Sequence, residues 1–322
     1  MKKTFLLYLI KIIKTYFINQ HMDILFNPFS LAKRIKRPLI LDGALGSLLQ
    51  SRGVPRDEHL WMSLASITHP DKVVELHKEY IEAGADIITT NTFRTNPAAK
   101  KEFKATSHNV VIDLKGFVSK SVELAKTAAS GMPVMIAGSN PPAEDCYRKE
   151  VRLTASDLYR NHEIHIMELY LSGSHFILNE THSHLDEIEI VSSICNKEDV
   201  PFVVSIYFDN NLNLLSGQSV DQAIEAILKY KPMAIGFNCI SPDTFLSFIK
   251  VRDFDFNWGV YLNCGNGEIT DSRITTNISP EDYKSLFRQI ISYNPSFIGG
   301  CCGTTPDHIR KIKEIFDERN IN

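Results

Sequence analysis

The chain has 322 residues, of which 43% are hydrophobic and 23% charged, and its formal net charge is −3. This length allows a packed core in one large α/β domain or two small ones. Lysine and arginine are dispersed along the chain, which argues against a nucleic-acid-binding surface. Six cysteines without a signal-peptide pattern indicate reduced thiols in the cytoplasm rather than a disulfide framework.

The first 18 residues form an apolar run that is broken by Lys11 and Lys14. A bilayer-spanning helix needs about 20 apolar residues, so no stable membrane insertion is expected. We interpret residues 1–36 as an N-terminal extension that need not belong to the fold, with a working start near Met22 as one explanation. The alternative is a basic amphipathic helix lying on a membrane surface.

From Pro38 onward, short apolar runs alternate with helical segments. Eight runs are predicted to be strands: Leu39–Asp42, Asp86–Asn91, Val134–Ser139, His175–Thr181, Phe202–Phe208, Ala234–Cys239, Trp258–Asn263 and Phe297–Cys302. Helical character is found in Pro70–Ala83, Val122–Ala129, Asp186–Asn196, Val220–Lys229, Pro242–Lys250, Pro280–Ser292 and Pro306–Glu318. Several of these helices begin with a serine or threonine cap followed by proline, as at Ser279-Pro280.

Eight strand-then-helix units favour an α/β fold of the (β/α)8 TIM-barrel type over residues 37–322. A doubly wound sheet is the alternative, but it usually has fewer strands and a glycine-rich phosphate loop after the first. Asp42-Gly-Ala-Leu-Gly46 carries glycines at this place without matching G-x-G-x-x-G. The sequence therefore predicts a single barrel domain.

Active sites of such barrels lie at the C-terminal ends of the strands. Unusual polar residues or cysteines fall at seven of these ends: Asp42, Thr90-Asn91-Thr92, Gly138-Ser139-Asn140, Glu180-Thr181, Asn238-Cys239, Asn263 and Cys301-Cys302. Each of them alone could be a cap or turn group. Together they predict one functional mouth at this end of the barrel.

The adjacent cysteines Cys301 and Cys302 stand in the run Gly299-Gly-Cys-Cys-Gly303. Neighbouring Cα atoms lie about 3.8 Å apart, which is short of the roughly 4.4–6.8 Å that a relaxed disulfide spans. Both sulfurs can instead reach one thiophilic metal ion, and the glycines permit backbone angles that let the side chains converge. Cys239 offers a third thiolate. Three thiolates and an open fourth position describe a catalytic zinc site.

The remaining cysteines, Cys146, Cys195 and Cys264, are interpreted as small buried hydrophobic residues. Cys264 is the weakest of these assignments, because it also ends an apolar run.

Five segments carry a family signature: Asp42-Gly-Ala-Leu-Gly-Ser, Ala85-Asp-Ile-Ile-Thr-Thr-Asn-Thr-Phe93, Glu180-Thr181, Gly236-Phe-Asn-Cys239 and Gly299-Gly-Cys-Cys-Gly-Thr-Thr-Pro306. From about Pro38 to the C-terminus the chain resembles the homocysteine S-methyltransferase family. That family includes the enzymes dependent on S-methylmethionine or betaine and the homocysteine module of cobalamin-dependent methionine synthase.

The resemblance implies a zinc-containing barrel that binds homocysteine. Its catalytic zinc ligands would be Cys239, Cys301 and Cys302. Homocysteine's amino group would be held by Asp42 and Glu180, and its carboxylate by backbone near Gly43, Ala44 and Thr90.

Two segments depart from the family pattern. Tyr261-Leu-Asn-Cys264-Gly stands where the family usually has Tyr-Pro-Asn-(Ser/Ala)-Gly. Asn140-Pro141-Pro142 stands where Gly-Pro is expected. Both lie where the methyl donor or a loop would sit, so they leave open the identity of the donor rather than the zinc chemistry.

The implied reaction is zinc-dependent transfer of a methyl group from a cationic donor to the thiolate of L-homocysteine, giving methionine. Three cysteine thiolates leave the zinc centre with one net negative charge, and the homocysteine thiolate adds a second. This charge favours a sulfonium donor, with S-methylmethionine ahead of S-adenosylmethionine and betaine third. The expected partners are homocysteine and a small methyl donor, and no oligomeric state follows from the sequence.

Three alternatives stay open. The chain could be a detached homocysteine-binding module of a cobalamin-dependent methionine synthase. It could be a non-catalytic zinc-binding barrel whose fourth ligand is Cys264 or a histidine. A hydrolytic metalloenzyme would use His182 and His184, or His162 and His165. Both pairs are interpreted instead as solvated or capping groups. Zinc hydrolases also prefer histidine and carboxylate ligands, so a site of three thiolates argues against this class.

Overall fold

The computed structural model describes residues 27–103, 114–266 and 274–319. The strands of its large sheet are β1 (Leu39–Ile40), β2 (Ile87–Thr89), β3 (Met135–Asn140), β4 (Phe176–His182), β5 (Phe202–Ile206), β6 (Ala234–Asn238), β7 (Trp258–Leu262) and β8 (Phe297–Gly300). The helices are α1 (Pro28–Ile35), α2 (Gly46–Ser51), α3 (Ala65–Thr68), α4 (Pro70–Ala83), α5 (Pro97–Glu102), α6 (Phe117–Ala128), α7 (Ala155–Leu171), α8 (Leu185–Lys197), α9 (Val220–Leu228), α10 (Pro242–Ile249), α11 (Pro280–Ile290) and α12 (Pro306–Arg319).

The eight strands run parallel in the order β1-β8-β7-β6-β5-β4-β3-β2. A parallel bridge between Leu41 and Ile87 joins the end of β1 to β2 and completes the ring. The predicted (β/α)8 barrel is therefore confirmed. A short antiparallel ribbon, Gly265–Asn266 with Thr275–Thr276, lies outside the ring after β7.

Alternate strand residues fill the inside of the ring, as the twofold periodicity of a strand requires. The buried interior cluster contains Leu39, Leu41, Ile87, Met135, Ala137, Phe176, Leu178, Val203, Ala234, Tyr261 and Phe297. The intervening residues, such as Ile136 and Ile177, belong to the larger cluster that includes the helices. The barrel is therefore a packed core that leaves chemistry to its C-terminal mouth.

Helix α1 covers the opposite end of the barrel. Phe29 is 1% exposed, and its ring lies 5.7 Å from that of Phe176 and 5.3 Å from that of Phe297. Both partners are the first residues of their strands, so the helix packs under the N-terminal end of the ring. Residues 28–35 thus pack with the barrel, although the sequence placed them in an extension that need not fold with it. Residues 1–26, with Met22 and the amphipathic segment, lie outside the described residues.

All seven predicted helices are present, although their ends differ from the prediction by up to a few residues. The long helix α7 after β3 was not predicted. Its buried face mixes the polar residues Asn161, His162 and His165 with Leu158, Ile166 and Leu169, so the apolar stripe that identifies a helix from sequence is interrupted. Within the described part of the chain, no helix is both long and apolar enough to cross a membrane.

Candidate active site

Three cysteine sulfurs converge at the C-terminal mouth of the barrel. The Sγ atom of Cys239 lies 3.1 Å from that of Cys301 and 3.7 Å from that of Cys302. All three sulfurs lie within 4.8 Å of one another. Two thiolates bound to one tetrahedral zinc at about 2.3 Å lie about 3.8 Å apart. The three sulfurs can therefore hold one such ion after a small opening of the closest pair.

Strand β7 brings these cysteines together, because it lies between β6 and β8 in the ring. The backbone N–H of Cys239 donates to Tyr261 O at 3.2 Å, and that of Cys301 donates to Leu262 O at 3.0 Å. Cys239 adopts a left-handed backbone with φ of 59°. Such strained conformations at non-glycine residues cluster at functional sites.

The glycines around Cys301 and Cys302 have two different purposes. Gly303 has a φ of 78°, which a residue with a side chain rarely adopts. Gly300 lies in β8, and a Cβ atom there would come within 2.4 Å of Thr304 Oγ1. The expectation that these glycines are needed for their backbone angles is thus correct for Gly303. At Gly300 a glycine is needed because a side chain would clash with Thr304.

Glu180 lies at the end of β4 beside the sulfurs. Its carboxylate accepts hydrogen bonds from the hydroxyls of Ser139 and, at 3.4 Å, Tyr261. Burial raises the pKa of Glu180 from 4.5 to about 7, and the negative charge of Cys239 adds to this increase. A carboxylate held in this way favours a cation beside it, because a positive charge would return the pKa toward its ordinary value.

The Glu180–Thr181 peptide is held by an amide from β6. Thr181 has a left-handed backbone with φ of 62°, and its N–H donates to Asn238 Oδ1 at 3.0 Å. Asn238 Nδ2 donates back to Thr181 Oγ1 at 2.8 Å, and Ser205 Oγ donates to Asn238 Oδ1 at 2.8 Å. Because Asn238 precedes Cys239, this network ties the carboxylate at the end of β4 to the first cysteine.

Asp42 follows β1 and is 1% exposed. Its carboxylate accepts a hydrogen bond from the backbone N–H of Thr89 at 2.8 Å and contacts the Thr89 hydroxyl at 3.2 Å. Burial holds the pKa of Asp42 well above its ordinary value, even though the Thr89 hydrogen bonds lower it, and the charge of Glu180 raises it further. Two carboxyl groups with raised pKa values therefore lie at one mouth.

The backbone near Ala44 and Thr90 is already hydrogen-bonded. Ala44 N–H donates to Thr304 Oγ1 at 3.0 Å, and Thr90 N–H donates to Ala137 O at 3.0 Å. A Cβ atom on Gly43 would come within 2.6 Å of Thr304 Oγ1, so this loop packs closely against the cysteine loop. The Thr304 hydroxyl also donates to Cys301 O at 2.7 Å. Carboxylate binding by Gly43, Ala44 and Thr90 stays a prediction.

Tyr147 belongs to the site and was missed in the sequence. Its hydroxyl lies 2.9 Å from Cys239 Sγ and donates to it. The residue lies in the long loop between β3 and α7, where no periodic pattern or glycine frame marks it. The only available signal was its place after Glu144-Asp-Cys146, in the loop that begins with the unusual Asn140-Pro-Pro segment.

The histidines form a separate buried network behind β3 and β4. His162 Nε2 lies 2.8 Å from Glu187 Oε1, and His165 Nδ1 lies 2.8 Å from Asn140 Oδ1. His182 Nε2 lies 3.2 Å from Asn140 O. These three rings are 0% exposed, so the interpretation of the histidine pairs as solvated groups was wrong. The packing of α7 and α8 on the barrel removes them from solvent.

His184 is buried as well, and its Nε2 contacts Lys149 O at 3.0 Å. It occupies the N-cap position of α8, but its side chain makes no capping hydrogen bond. The capping interpretation of this residue was therefore also wrong, because the ring turns toward the loop between β3 and α7.

Cys146, Cys195 and Cys264 are buried, as expected. Burial raises the pKa of Cys195 and that of Cys264 to about 12. Among the described residues, the only group of three or more His, Cys, Asp or Glu side chains that could hold a metal ion is the set of three cysteines at the mouth. Neither Cys264 nor a histidine belongs to this group, so the geometry does not support a closed four-ligand site.

Two of the polar residues at strand ends stabilise the surrounding loops by hydrogen bonds. Asn263 Oδ1 accepts a hydrogen bond from Gly265 N–H at 2.7 Å and so stabilises a turn. Asn91 Nδ2 donates to Met62 O and Ser66 Oγ. The mouth is thus formed by fewer of the strand ends than the sequence pattern suggested.

Comparisons with known proteins agree with this architecture. The homocysteine S-methyltransferase family model matches residues 39–316. Homocysteine S-methyltransferase 2 of Arabidopsis thaliana is 25% identical over 88% of this chain and 94% of its own length. Selenocysteine Se-methyltransferase of Brassica oleracea var. italica is 25% identical over 94% of this chain and 96% of its own.

Among solved structures, the metallated form of the homocysteine methyltransferase MmuM from Escherichia coli superimposes with a TM-score of 0.71 at 23% identity. The match covers 90% of this chain and 100% of that one, and it shows the shared fold. The family model spans all eight strands, and the resemblance noted in the sequence is confirmed. The chain therefore belongs to the homocysteine S-methyltransferase family and is a methyltransferase of that class.

Proposed function

We propose that this protein transfers a methyl group from a cationic donor to the thiolate of L-homocysteine, with a zinc ion held by Cys239, Cys301 and Cys302. The observation that carries the proposal is the convergence of three sulfurs within 4.8 Å at the end of the barrel where Glu180 and Asp42 also lie. Free thiols of this kind persist in a reducing compartment, which supports the cytoplasm as its location.

The donor set fits zinc, because soft thiolates are preferred zinc ligands and three of them leave a fourth position for substrate. When bound, zinc would hold the homocysteine sulfur as a thiolate at neutral pH, where a free thiol is mostly protonated. The protein contributes the orientation of the three sulfurs through β7 and through the left-handed backbone of Cys239.

Glu180 and Asp42 are proposed to bind the ammonium group of homocysteine. The half-burial of Glu180 and the full burial of Asp42 raise the pKa values of both carboxyl groups, and an ammonium group would stabilise their ionised forms. Ser139 and Tyr261 orient the Glu180 carboxylate by hydrogen bonds. The amino acid would therefore be held at the end of β4, with its side chain directed at the neighbouring cysteines.

The negative charge of the site favours a sulfonium donor. As the homocysteine sulfur bonds to the methyl carbon, the carbon–sulfur bond of the sulfonium breaks and its electron pair stays on the departing neutral thioether. Both reactants lose charge along this path, and interactions that strengthen toward the transition state raise turnover. The barrel mouth supplies the alignment of the two reactants. We accordingly propose S-methylmethionine ahead of S-adenosylmethionine, with betaine third.

A donor panel tests this proposal. Zinc-loaded protein is incubated with homocysteine and each donor at matched concentration, and methionine is measured by mass spectrometry. Selenocysteine is added as a second acceptor, since one relative carries that name. Cys301→Ser should form no methionine, whereas Cys195→Ala, which alters a buried cysteine outside the site, should remain active.

Two outcomes would overturn the proposal. Folded, zinc-loaded protein that forms no methylated acceptor with any cationic donor would refute the methyl transfer proposed here. Activity only with methyltetrahydrofolate and a cobalamin protein would instead identify a detached methionine-synthase module.

A further inference from the structure

The loop between β3 and α7 reaches across the mouth to the cysteines. Tyr147 in this loop donates its hydroxyl hydrogen to Cys239 Sγ at 2.9 Å, across 92 positions of sequence. Among the described residues, this is the only hydroxyl that hydrogen-bonds one of the three site sulfurs. The contact thus distinguishes Cys239 from Cys301 and Cys302.

The loop is held on both sides of Tyr147. Ala143 N–H donates to Glu187 Oε1 at 2.8 Å, and Lys149 O contacts His184 Nε2 at 3.0 Å. Both partners are buried residues at the start of α8. Tyr147 therefore lies in a loop that is anchored to α8 by hydrogen bonds on both sides of it. This anchoring holds the Tyr147 hydroxyl next to the Cys239 sulfur.

The ring of Tyr147 is positioned by a second aromatic side chain. It packs edge-to-face on Tyr207, with ring centroids 5.3 Å apart and an interplanar angle of 86°. Cys239 is 4% exposed, whereas Cys301 and Cys302 are more open. The phenol therefore both covers and hydrogen-bonds one sulfur and leaves the other two without this protection.

We propose that Tyr147 restrains the nucleophilicity of Cys239, so that the donor's methyl group goes to the substrate sulfur and not to this cysteine. The inference rests on the proposed function, because it treats Cys239 as a thiolate ligand beside an electrophilic donor. A hydrogen bond to a thiolate engages a lone pair of the sulfur. That lone pair is then less available to attack the methyl carbon.

The reaction that Tyr147 opposes is a self-methylation. Cys239 Sγ would bond to the methyl carbon, the carbon–sulfur bond of the sulfonium would break, and the neutral thioether would leave. The product would be S-methylcysteine at position 239, which is a thioether and a poorer zinc ligand than a thiolate. The protein would then lose its metal during turnover.

Alkylation mapping tests the inference. Zinc-loaded wild type and Tyr147→Phe are treated with limiting iodoacetamide without homocysteine, and with S-methylmethionine in a second series. Trypsin separates Cys239 from Cys301 and Cys302, because Lys250 and Arg288 lie between them. The modified fraction of each peptide is measured by mass spectrometry, so that the two unprotected cysteines are an internal reference in every sample.

We expect Tyr147→Phe to raise the modification of the Cys239 peptide, relative to the peptide that carries Cys301 and Cys302, about tenfold. A change of this size corresponds to the lower end of the free-energy range of a hydrogen bond to a charged group. Tyr207→Phe is the matched control, because it keeps both rings and the Tyr147 hydroxyl, and it should retain the wild-type ratio. Faster loss of zinc during turnover in Tyr147→Phe alone is the second expected result.

An unchanged ratio in zinc-loaded Tyr147→Phe would refute the inference, even if that variant bound zinc less tightly. Absence of zinc from the wild type would refute the proposed function instead. Zinc content is therefore measured first by atomic spectrometry.

Discussion

Replacing Glu180 with glutamine should change homocysteine binding and protein stability in opposite directions. Glutamine keeps the size of the side chain and removes its charge, so the ammonium group of homocysteine loses one of its two proposed carboxylate partners. A hydrogen bond to a charged group contributes about 1.5–3 kcal/mol. The dissociation constant of homocysteine should therefore rise about 10- to 150-fold at pH 8.

The substrate-free protein should become more stable at the same pH. Burial raises the pKa of Glu180 from 4.5 to about 7, so the folded chain holds a proton that the unfolded chain has released between these values. Stability is consequently lost as pH rises from about 4.5 to about 7. The shift corresponds to at most about 3 kcal/mol, and solvent screening of a half-buried group reduces this to about 1–2 kcal/mol. Glu180→Gln should recover this amount at pH 8 and little at pH 4.5.

Calorimetric titration of zinc-loaded protein with homocysteine, at pH 8 and pH 6, measures the first effect. The advantage of the wild type over Glu180→Gln should shrink about tenfold between pH 8 and pH 6, because Glu180 is mostly protonated at pH 6 before substrate binds. Urea unfolding at pH 8 and pH 4.5 measures the second effect. Glu225→Gln, which alters an exposed carboxylate on α9, is the control for both. Unchanged homocysteine affinity with retained zinc would reduce Glu180 to a structural group and refute the reasoning.

Three further predictions concern the metal, the loops and the bottom of the barrel. Cys301→Ser should lose zinc and turnover while circular dichroism stays close to that of the wild type, and full zinc content with activity would exclude Cys301 as a ligand. Thr304→Val removes the hydroxyl that joins Ala44 to Cys301, so KM for homocysteine should rise several-fold and Thr304→Ser should restore it; equal KM values in both variants would argue against this link. Phe29→Ala should lower the free energy of unfolding by about 3–5 kcal/mol, as for a buried aromatic residue, with zinc content unchanged. A loss below about 1 kcal/mol in urea unfolding would mean that α1 is not part of the cooperative core.

The barrel could be predicted because its signals are local. Each strand is a short apolar run bounded by loop residues, and each predicted helix has a cap or an apolar stripe that is visible in a few consecutive residues. Helix α7 was missed because three polar residues interrupt the apolar stripe on its buried face. His162 and His165 are paired with Glu187 and Asn140, partners that no local pattern reveals. The packing of α1 was missed because its eight residues contact the ends of strands far away in sequence.

The sequence by itself determined that three cysteines would meet, because strands that run parallel in one barrel must present their C-terminal ends at a single mouth. Only the tertiary structure decided how the mouth is held. The left-handed Thr181 depends on an amide 57 positions away, and Tyr147 reaches a sulfur 92 positions away. Such contacts depend on which loops come close together in three dimensions. The spacing of residues along the chain does not reveal this proximity.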